Sequence, residues 1–426
     1  MGSYYARPLV LGLTVITAVA MVLGLSIPVA SGAALRWHAV GVHSPSGGSY
    51  GILSGVACSG PTSCVAGGDF YSKARTTEAM IVASSRHSWS TARAVRLPAN
   101  ALPLGEGAAV ASIACPARAS CVAVGFYTTK AGLQAFTTAG HGSSWARATV
   151  PSLPKDSARP AVAFLSGLSC TGRGSCVAVG GYTNRGGHGE PLVATETRGR
   201  WRHSIGIGLP ANAAISPQAH LSAVSCPKAG DCVAVGAYQT KSSQGEGMAA
   251  IESKGHWSRA RELRLPANVS AGPGAEVYSV SCGSTRTCVA VGSYVTRSGI
   301  SAALAVTESG GRWRQGKDLT ALPANAATGS AGYADLNGIS CTGNSCMAVG
   351  QYRDKQGGQL ALAVSESGGK WARATAVSPP SRAAGGASQQ ATLFAVACQT
   401  SIRCTAVGDY TSSSHVGEAM AATALG

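Results

Sequence analysis

Seven closely spaced cysteine couples, set almost evenly along 426 residues, constrain this chain more than any other feature. They are Cys58/Cys64, Cys115/Cys121, Cys170/Cys176, Cys226/Cys232, Cys282/Cys288, Cys341/Cys346 and Cys398/Cys404. Measured between first cysteines, the steps are 57, 55, 56, 56, 59 and 57 residues, a regularity that means a repeat architecture. The second cysteine of each couple opens the same short segment. It reads CVAVGFY at 121, CVAVGGY at 176, CVAVGAY at 232 and CVAVGSY at 288, with looser forms CVAGGDF at 64, CMAVGQY at 346 and CTAVGDY at 404.

Each unit has four parts of strand length. An apolar segment such as LSAVSC (221–226) is followed by the CVAVGxY segment, then by one such as SAALAVTES (301–309), and then by a Gly-Gly turn into a Trp-containing piece such as RWRQ (312–315). Small and β-branched residues separated by Gly, Ser and Asn are strand and turn chemistry. With 56 glycines and only 12% charged residues, the composition suits short strands and excludes long surface helices. Four antiparallel strands repeated seven times predict an all-β chain folded as a seven-bladed β-propeller over residues 34–426. The tryptophans specify how it closes. Trp37, Trp89, Trp145, Trp201, Trp257, Trp313 and Trp371 all fall at the fourth-strand position, yet the last unit ends without one and Trp37 precedes the first unit alone. A ring uses the Trp37 segment to complete the last blade, so that no sheet edge is left unpaired.

Arg7 precedes an uncharged apolar run from Leu9 to Ala30 and a small-residue stretch, Ala30 to Ala34, which reads as export. Residues 1–33 are either a cleaved signal peptide or an uncleaved membrane anchor, since the run of 22 residues is also long enough to span a bilayer. Paired cysteines in an exported chain read as disulfides, one within each couple, stapling the hairpin between the first two strands. Structural zinc prefers tighter spacing and a second ligand pair, and the nine histidines show no ligand pattern, so no metal and no cofactor are expected.

The formal net charge is +16. Three residues beyond the aromatic that ends each CVAVGxY segment stand Lys73, Lys130, Arg185, Lys241, Arg297 and Lys355, with Ser413 breaking the series. On a closed ring they place six positive charges on one face and are the expected ligand-binding residues, for an anionic polysaccharide or envelope polymer, with another protein as the alternative partner. Export removes the usual nucleic-acid partner, and no recognition helix or stacking platform appears. The membrane is expected to be met only through the N-terminal segment, and the chain to be a monomer. The seven aromatics themselves, Phe70, Tyr127, Tyr182, Tyr238, Tyr294, Tyr352 and Tyr410, repeat in every unit and read as packing.

Repeated carboxylates, Glu78, Glu190, Glu246 and Glu418 at the start of the third strand and Glu196, Glu252, Glu308 and Glu366 before a Trp, read as turn and cross-strand partners. Catalysis needs groups that break the repeat and converge on one centre, and no catalytic residue is assigned. Asp335-Leu-Asn337, Lys155 to Arg159 and His188-Gly-Glu190 depart from the pattern and read as ordinary loop. GGSYG (47–51) matches a nucleophile-elbow pattern without its strand-to-helix context.

The turns SESGGKW (365–371) and TESGGRW (307–313) resemble the Asp-box turn of bacterial neuraminidase repeats, with Glu and Ser where that motif leads to its Asp and no Thr before the Trp. The resemblance implies a sialidase-type propeller; the catalytic Tyr, Glu and arginine cluster of that family have no assignable counterparts. The unit as a whole is similar to cysteine-paired repeats of secreted actinobacterial proteins, which implies export and a propeller. The expected function is a non-enzymatic binding or scaffold propeller. The alternative is an extracellular carbohydrate-active enzyme, glycoside hydrolase or sialidase-like, on the same fold.

Overall fold

A computed structural model describes residues 35–425 except 46–47, 87, 103–106, 119, 203, 273 and 286. The apolar segment read as signal or anchor lies outside the described residues, as does Gly47 of GGSYG. The chain forms seven antiparallel sheets arranged as a seven-bladed β-propeller. The innermost strands of blades 1 to 7 are Ser49–Gly60, Ala108–Ala117, Ala163–Gly172, His220–Lys228, Glu276–Ser284, Ala334–Thr342 and Ala391–Thr400. The second strand of each blade carries the CVAVGxY segment, and a third follows it. The outer strand is a short Trp piece such as Arg312–Trp313, in five blades continued by a second piece such as Lys317–Asp318.

Blade 7 is finished by the start of the chain. Its outer strand is Arg36–Val42, antiparallel to Gly417–Leu425, with Trp37 opposite Ala424 and Val42 opposite Ala419. Trp37 therefore closes the ring as the phase of the tryptophans predicts.

All seven disulfides lie within their couples: Cys58–Cys64, Cys115–Cys121, Cys170–Cys176, Cys226–Cys232, Cys282–Cys288, Cys341–Cys346 and Cys398–Cys404, with Cα atoms 3.9–4.1 Å apart. A loop of about seven residues closed in this way stabilises by roughly 2 kcal/mol through loss of denatured-state freedom. The structure bears out these staples and adds a second role to them. The first cysteine of each couple is half-buried in the hairpin, but the second belongs to the core. Cys64, Cys121, Cys176, Cys232, Cys288, Cys346 and Cys404 are each 1–7% exposed. The reason is that each opens the second strand and turns its sulfur onto the preceding blade. Cys121 packs with Val65 of blade 1, Cys176 with Val122 of blade 2, Cys232 with Val177 of blade 3 and Cys404 with Met347 of blade 6. At the seam Cys64 packs with Val407 of blade 7, and the Thr405 hydroxyl of that blade lies 3.6 Å from its sulfur. These sulfurs are closed to any ligand, and their part in the molecule is structural. Seven disulfides place the folded domain in an oxidising compartment.

The other repeated letters have separate tasks. In blade 5 the side chains of Cys288, Ala290 and Tyr294 pack with Val233 and Val235 of blade 4. The alternating Val289 and Val291 face the other way, into Leu336 and Ile339 of blade 6. A strand buried on both faces reads as a continuous apolar run, and this is one. Gly292 lies against a bulge in the innermost strand between Val277 and Ser279, where a Cβ would stand 2.0 Å from the Glu276 carbonyl oxygen. Gly236 and Gly350 meet the same obstruction at 2.0 Å in blades 4 and 6. The serine before the first cysteine links blades. Ser169, Ser225, Ser281 and Ser340 each accept the backbone N–H of the next blade's first cysteine at 2.9–3.0 Å.

Gly292→Ala is expected to lower stability by about 3 kcal/mol, because the clash is with backbone that cannot move without unpacking blade 5. Denaturant titration followed by tryptophan fluorescence measures it; an unchanged midpoint would show that the bulge relaxes freely.

Candidate functional site

The connections between blades and the turns between second and third strands lie at one end of the ring, and the disulfide hairpins at the other. The segment Leu-Pro-Ala-Asn, which occurs at 97–100, 209–212, 265–268 and 322–325, is a chain reversal in each case. Each proline carbonyl accepts an N–H three residues on, from Ala101, Ala213, Val269 and Ala326 at 2.9–3.2 Å. Their asparagines then meet the aromatic that ends the second strand. The hydroxyls of Tyr127, Tyr238, Tyr294 and Tyr352 donate to Asn100, Asn212, Asn268 and Asn325 at 2.8–2.9 Å. Tyr182 donates to Asp156 and Tyr410 to Glu418 in the same manner. These rings are buried. Burial raises the phenols, which remain donors at neutral pH. The aromatic series is therefore packing and loop anchorage.

Lys73, Lys130, Arg185, Lys241, Arg297 and Lys355 all occupy exposed turns on this loop face. Three of them also serve the fold. Arg185 Nη2 donates to the Lys155 carbonyl at 2.8 Å, Arg297 Nη2 to Ala267 at 2.8 Å and Lys355 Nζ to Ala324 at 3.1 Å. Among the described residues none of the six enters an ion pair, so their charge faces solvent.

The centre of the same face breaks the seven-fold pattern. Each innermost strand bulges into the channel once, at Ser54, Ala111, Ser166, Ser222, Tyr278, Asn337 and Phe394, around a cavity of about 460 Å³. Two residues earlier, toward the loop face, the seven positions read Ile52, Ala109, Phe164, His220, Glu276, Asp335 and Thr392. Their partners on the second strands are Asp69, Phe126, Gly181, Ala237, Ser293, Gln351 and Asp409. Blades 2 and 3 are thus apolar at the mouth, and blades 4 to 7 with blade 1 are polar.

Within blades 5 to 7 much of the polar arc is tied together by hydrogen bonds. His220 Nε2 lies 3.7 Å from Glu276, and that hydrogen-bonding partner holds the Glu276 carboxyl below its usual range. The hydroxyls of Tyr278 and Ser293 share a hydrogen bond of 3.1 Å. Buried Asp335 accepts from Tyr333 and from Ser301, the latter at 3.0 Å. Gln359 Nε2 donates to Gln351 at 2.7 Å and to Thr392 at 2.9 Å, joining blade 6 to blade 7. At the seam, burial pushes Asp69 and Asp409 up to about 6, and for Asp409 the Asp69 charge adds to it. The Tyr50 phenol is raised by burial and then by both of these carboxylates. Its ring lies 5.2 Å from that of Tyr71, which is 43% exposed.

Asp335 and Asn337 are therefore not loop, as the sequence reading has them, but members of an innermost strand at and below the mouth. Asp69, Glu276, Asp409 and His220 escape that reading altogether. The signal lay in the one variable letter of CVAVGxY and in the letter before the buried leucine or valine of the first strand. Of the repeated carboxylates, Glu308 and Glu366 behave as expected and accept the N–H of Gly311 and Gly369 within their own hairpins, whereas one oxygen each of Glu196 and Glu252 is buried without a hydrogen-bond partner among the described residues.

No known family model and no curated protein matches the chain. Solved structures similar to it include an ulvan lyase of polysaccharide lyase family PL25, 8% identical over 90% of this chain and 95% of that one, with a TM-score of 0.56. Trypanosoma rangeli sialidase in complex with sialic acid is 9% identical over 78% of this chain and 55% of that one, TM-score 0.46. The fucose-specific lectin from Aleuria aurantia is 12% identical over 79% and 99%, TM-score 0.43. At these identities the likeness is one of fold.

The seam carboxyls bear on stability. A folded value near 6 against an ordinary 3.8 means that the folded state holds more protons between those values. Their contribution to stability is therefore expected to fall as pH rises from about 4 to 6.5 and to level off above. Glu246, pushed up to about 7 by burial and then by Glu262, acts in the same direction and carries the fall on to about pH 7.5. Denaturation midpoints across this range measure the slope, which Asp69→Asn with Asp409→Asn should reduce; an equal slope in the double variant would contradict the assignment.

Proposed function

We propose that the chain is an exported binding or scaffold propeller that recognises an anionic glycan or envelope polymer across its loop face. The observation that carries this reading is the placement of six basic side chains, none in an ion pair among the described residues, on the turns of one face of a chain with net charge +16. Charge arranged in this way attracts a polyanion at long range and weakens when salt screens it. Export rests on the apolar segment Leu9 to Ala30 and agrees with the seven disulfides.

Lys73, Lys130 and Lys241 are the residues to test, because they are exposed and, unlike Arg185, Arg297 and Lys355, donate to no loop carbonyl among the described residues. Reversing all three to glutamate is expected to weaken binding to a polyuronate by about tenfold or more while the melting temperature stays unchanged. Wild-type affinity should also drop as sodium chloride rises. Affinity indifferent to both salt and charge reversal would refute the reading.

A second reading, an extracellular carbohydrate-cleaving enzyme, is favoured by one observation. Carboxyl groups of blades 1, 5, 6 and 7 stand at equivalent positions around the channel mouth, and two of them are raised into the range in which a carboxylic acid donates a proton near neutral pH. Apart from a protonated His220, none of the mouth residues described is cationic, so this chemistry fits a neutral sugar rather than a sialic acid. Release of reducing ends or unsaturated products from glycan polymers, lost in Asp409→Asn, would establish it over the binding reading.

A further inference from the structure

On the disulfide face, opposite the loop face, the outer part of the space between blades 5 and 6 is left open. We propose that this cleft is a separate saccharide site that takes an acidic sugar unit. It goes beyond the loop-face reading and does not depend on it.

The cleft follows from the blade packing. One face of blade 5 turns toward blade 6, and register places Val289 opposite Thr307, Thr287 opposite Ser309 and Ala305 opposite Lys317 on it. Near the axis this face is covered by Leu336, Ile339 and Ala348 of blade 6. Toward the disulfide end none of the described residues covers it, and a cavity of about 450 Å³ remains, within the range of small-ligand sites. The opposite wall is the Cys341–Cys346 hairpin and the Glu366–Gly369 turn of blade 6.

Two departures from the repeat shape this cleft. The blade 6 hairpin is one residue shorter than the other six, with a cysteine separation of 5 against 6, and turns at Gly343 with φ 59°. It comes so near blade 5 that a Cβ on Gly283 would stand 2.0 Å from the Gly343 carbonyl oxygen. The second departure is charge. The equivalent cleft between blades 3 and 4 is smaller, about 340 Å³, and has Ile205 where blade 5 has Lys317. Here Lys317 and Arg314 both line the cavity. Lys317 reaches across to the Gly369 carbonyl at 3.4 Å. The one acid on the wall, Glu366, is spent on the N–H of Gly369 in its own hairpin and is nearly inaccessible. Among the described residues the cleft thus sets two cationic side chains against one buried, hydrogen-bonded carboxylate, and its net charge is positive.

The lining chemistry identifies the ligand class. A guanidinium binds a carboxylate or sulfate through two parallel hydrogen bonds, and the ammonium of Lys317 adds a point charge. Thr307, Ser309 and Asn344 supply the short donors and acceptors that pair with sugar hydroxyls.

The test uses the disulfide-intact protein and isothermal titration with four probes: a glucuronate-containing disaccharide, its sulfated counterpart, its neutral counterpart and inorganic phosphate. An acidic disaccharide should bind, and Arg314→Ala with Lys317→Ala should weaken it by about tenfold or more. Asn344→Trp, which fills the cavity from an exposed turn, should abolish it. The Lys73, Lys130 and Lys241 charge reversals should leave it unchanged, which separates failure of this site from failure of the loop face. Preference for the carboxylate or for the sulfate probe names the anion. Equal binding of the neutral probe, equal binding of phosphate alone, or undiminished binding by the Arg314/Lys317 double variant would overturn the proposal.

Discussion

Every blade of this propeller is a sheet with two apolar faces, and it buries both only when it stands between two neighbours. That requirement governs the rest. The seven core clusters each combine residues of adjacent blades, and the one at the seam joins Val407, Ala419 and Ala421 of blade 7 to Leu53, Val56 and Ala66 of blade 1. A stack of the same blades left open would expose an apolar face at each end and an unpaired strand besides. The pairing of Arg36–Val42 with Gly417–Leu425 removes the edge and holds the two terminal blades together.

Because closure relies on repeated positions, chemistry is confined to what the repeat leaves free. On the loop face this is the turn residue beyond each anchored aromatic, and at the axis the two letters per blade that face the channel mouth. The two regions carry opposite charge. The turns are basic and stand outward, while the mouth gathers Asp69, Glu276, Asp335 and Asp409 within a chain whose net charge is strongly positive. A polyanion approaching this face meets the turns and is repelled at the centre, so the two regions are suited to different parts of a ligand or to different ligands.

The architecture was legible in the sequence because it is written seven times. Cysteine spacing implied the staples, the tryptophan phase implied the closure, and the small letters of CVAVGxY implied close packing of blades. The roles of single letters were less accessible. Spacing pairs Cys121 with Cys115 but is silent on the blade against which its sulfur is buried, since the neighbour comes from an earlier repeat. Nothing in Leu-Pro-Ala-Asn announces that its asparagine accepts from a tyrosine more than two dozen residues later, since that contact exists only after the loop folds back over its own blade. The mouth was hidden for a related reason. Asp69, Ser293, Gln351 and Asp409 hold the position in the motif that looked free to vary, and Asp335 stands in a strand that reads as loop beside a long connection. Their convergence is a property of the ring, which brings residues from opposite ends of the chain to one axis. The cleft between blades 5 and 6 had a trace in the sequence, the missing residue between Cys341 and Cys346, whose consequence depends on how the neighbouring blade is placed.

Closure of the ring through the N-terminal strand is the claim most directly open to measurement, by hydrogen exchange of the amides in Arg36–Val42 under increasing denaturant. If the strand latches the propeller, its amides directed at Gly417–Leu425 exchange only with global unfolding, together with those of the second strands, because releasing it exposes both terminal blades. Exchange at the rate of exposed turns, or at denaturant concentrations well below the unfolding transition, would contradict a ring closed in this way.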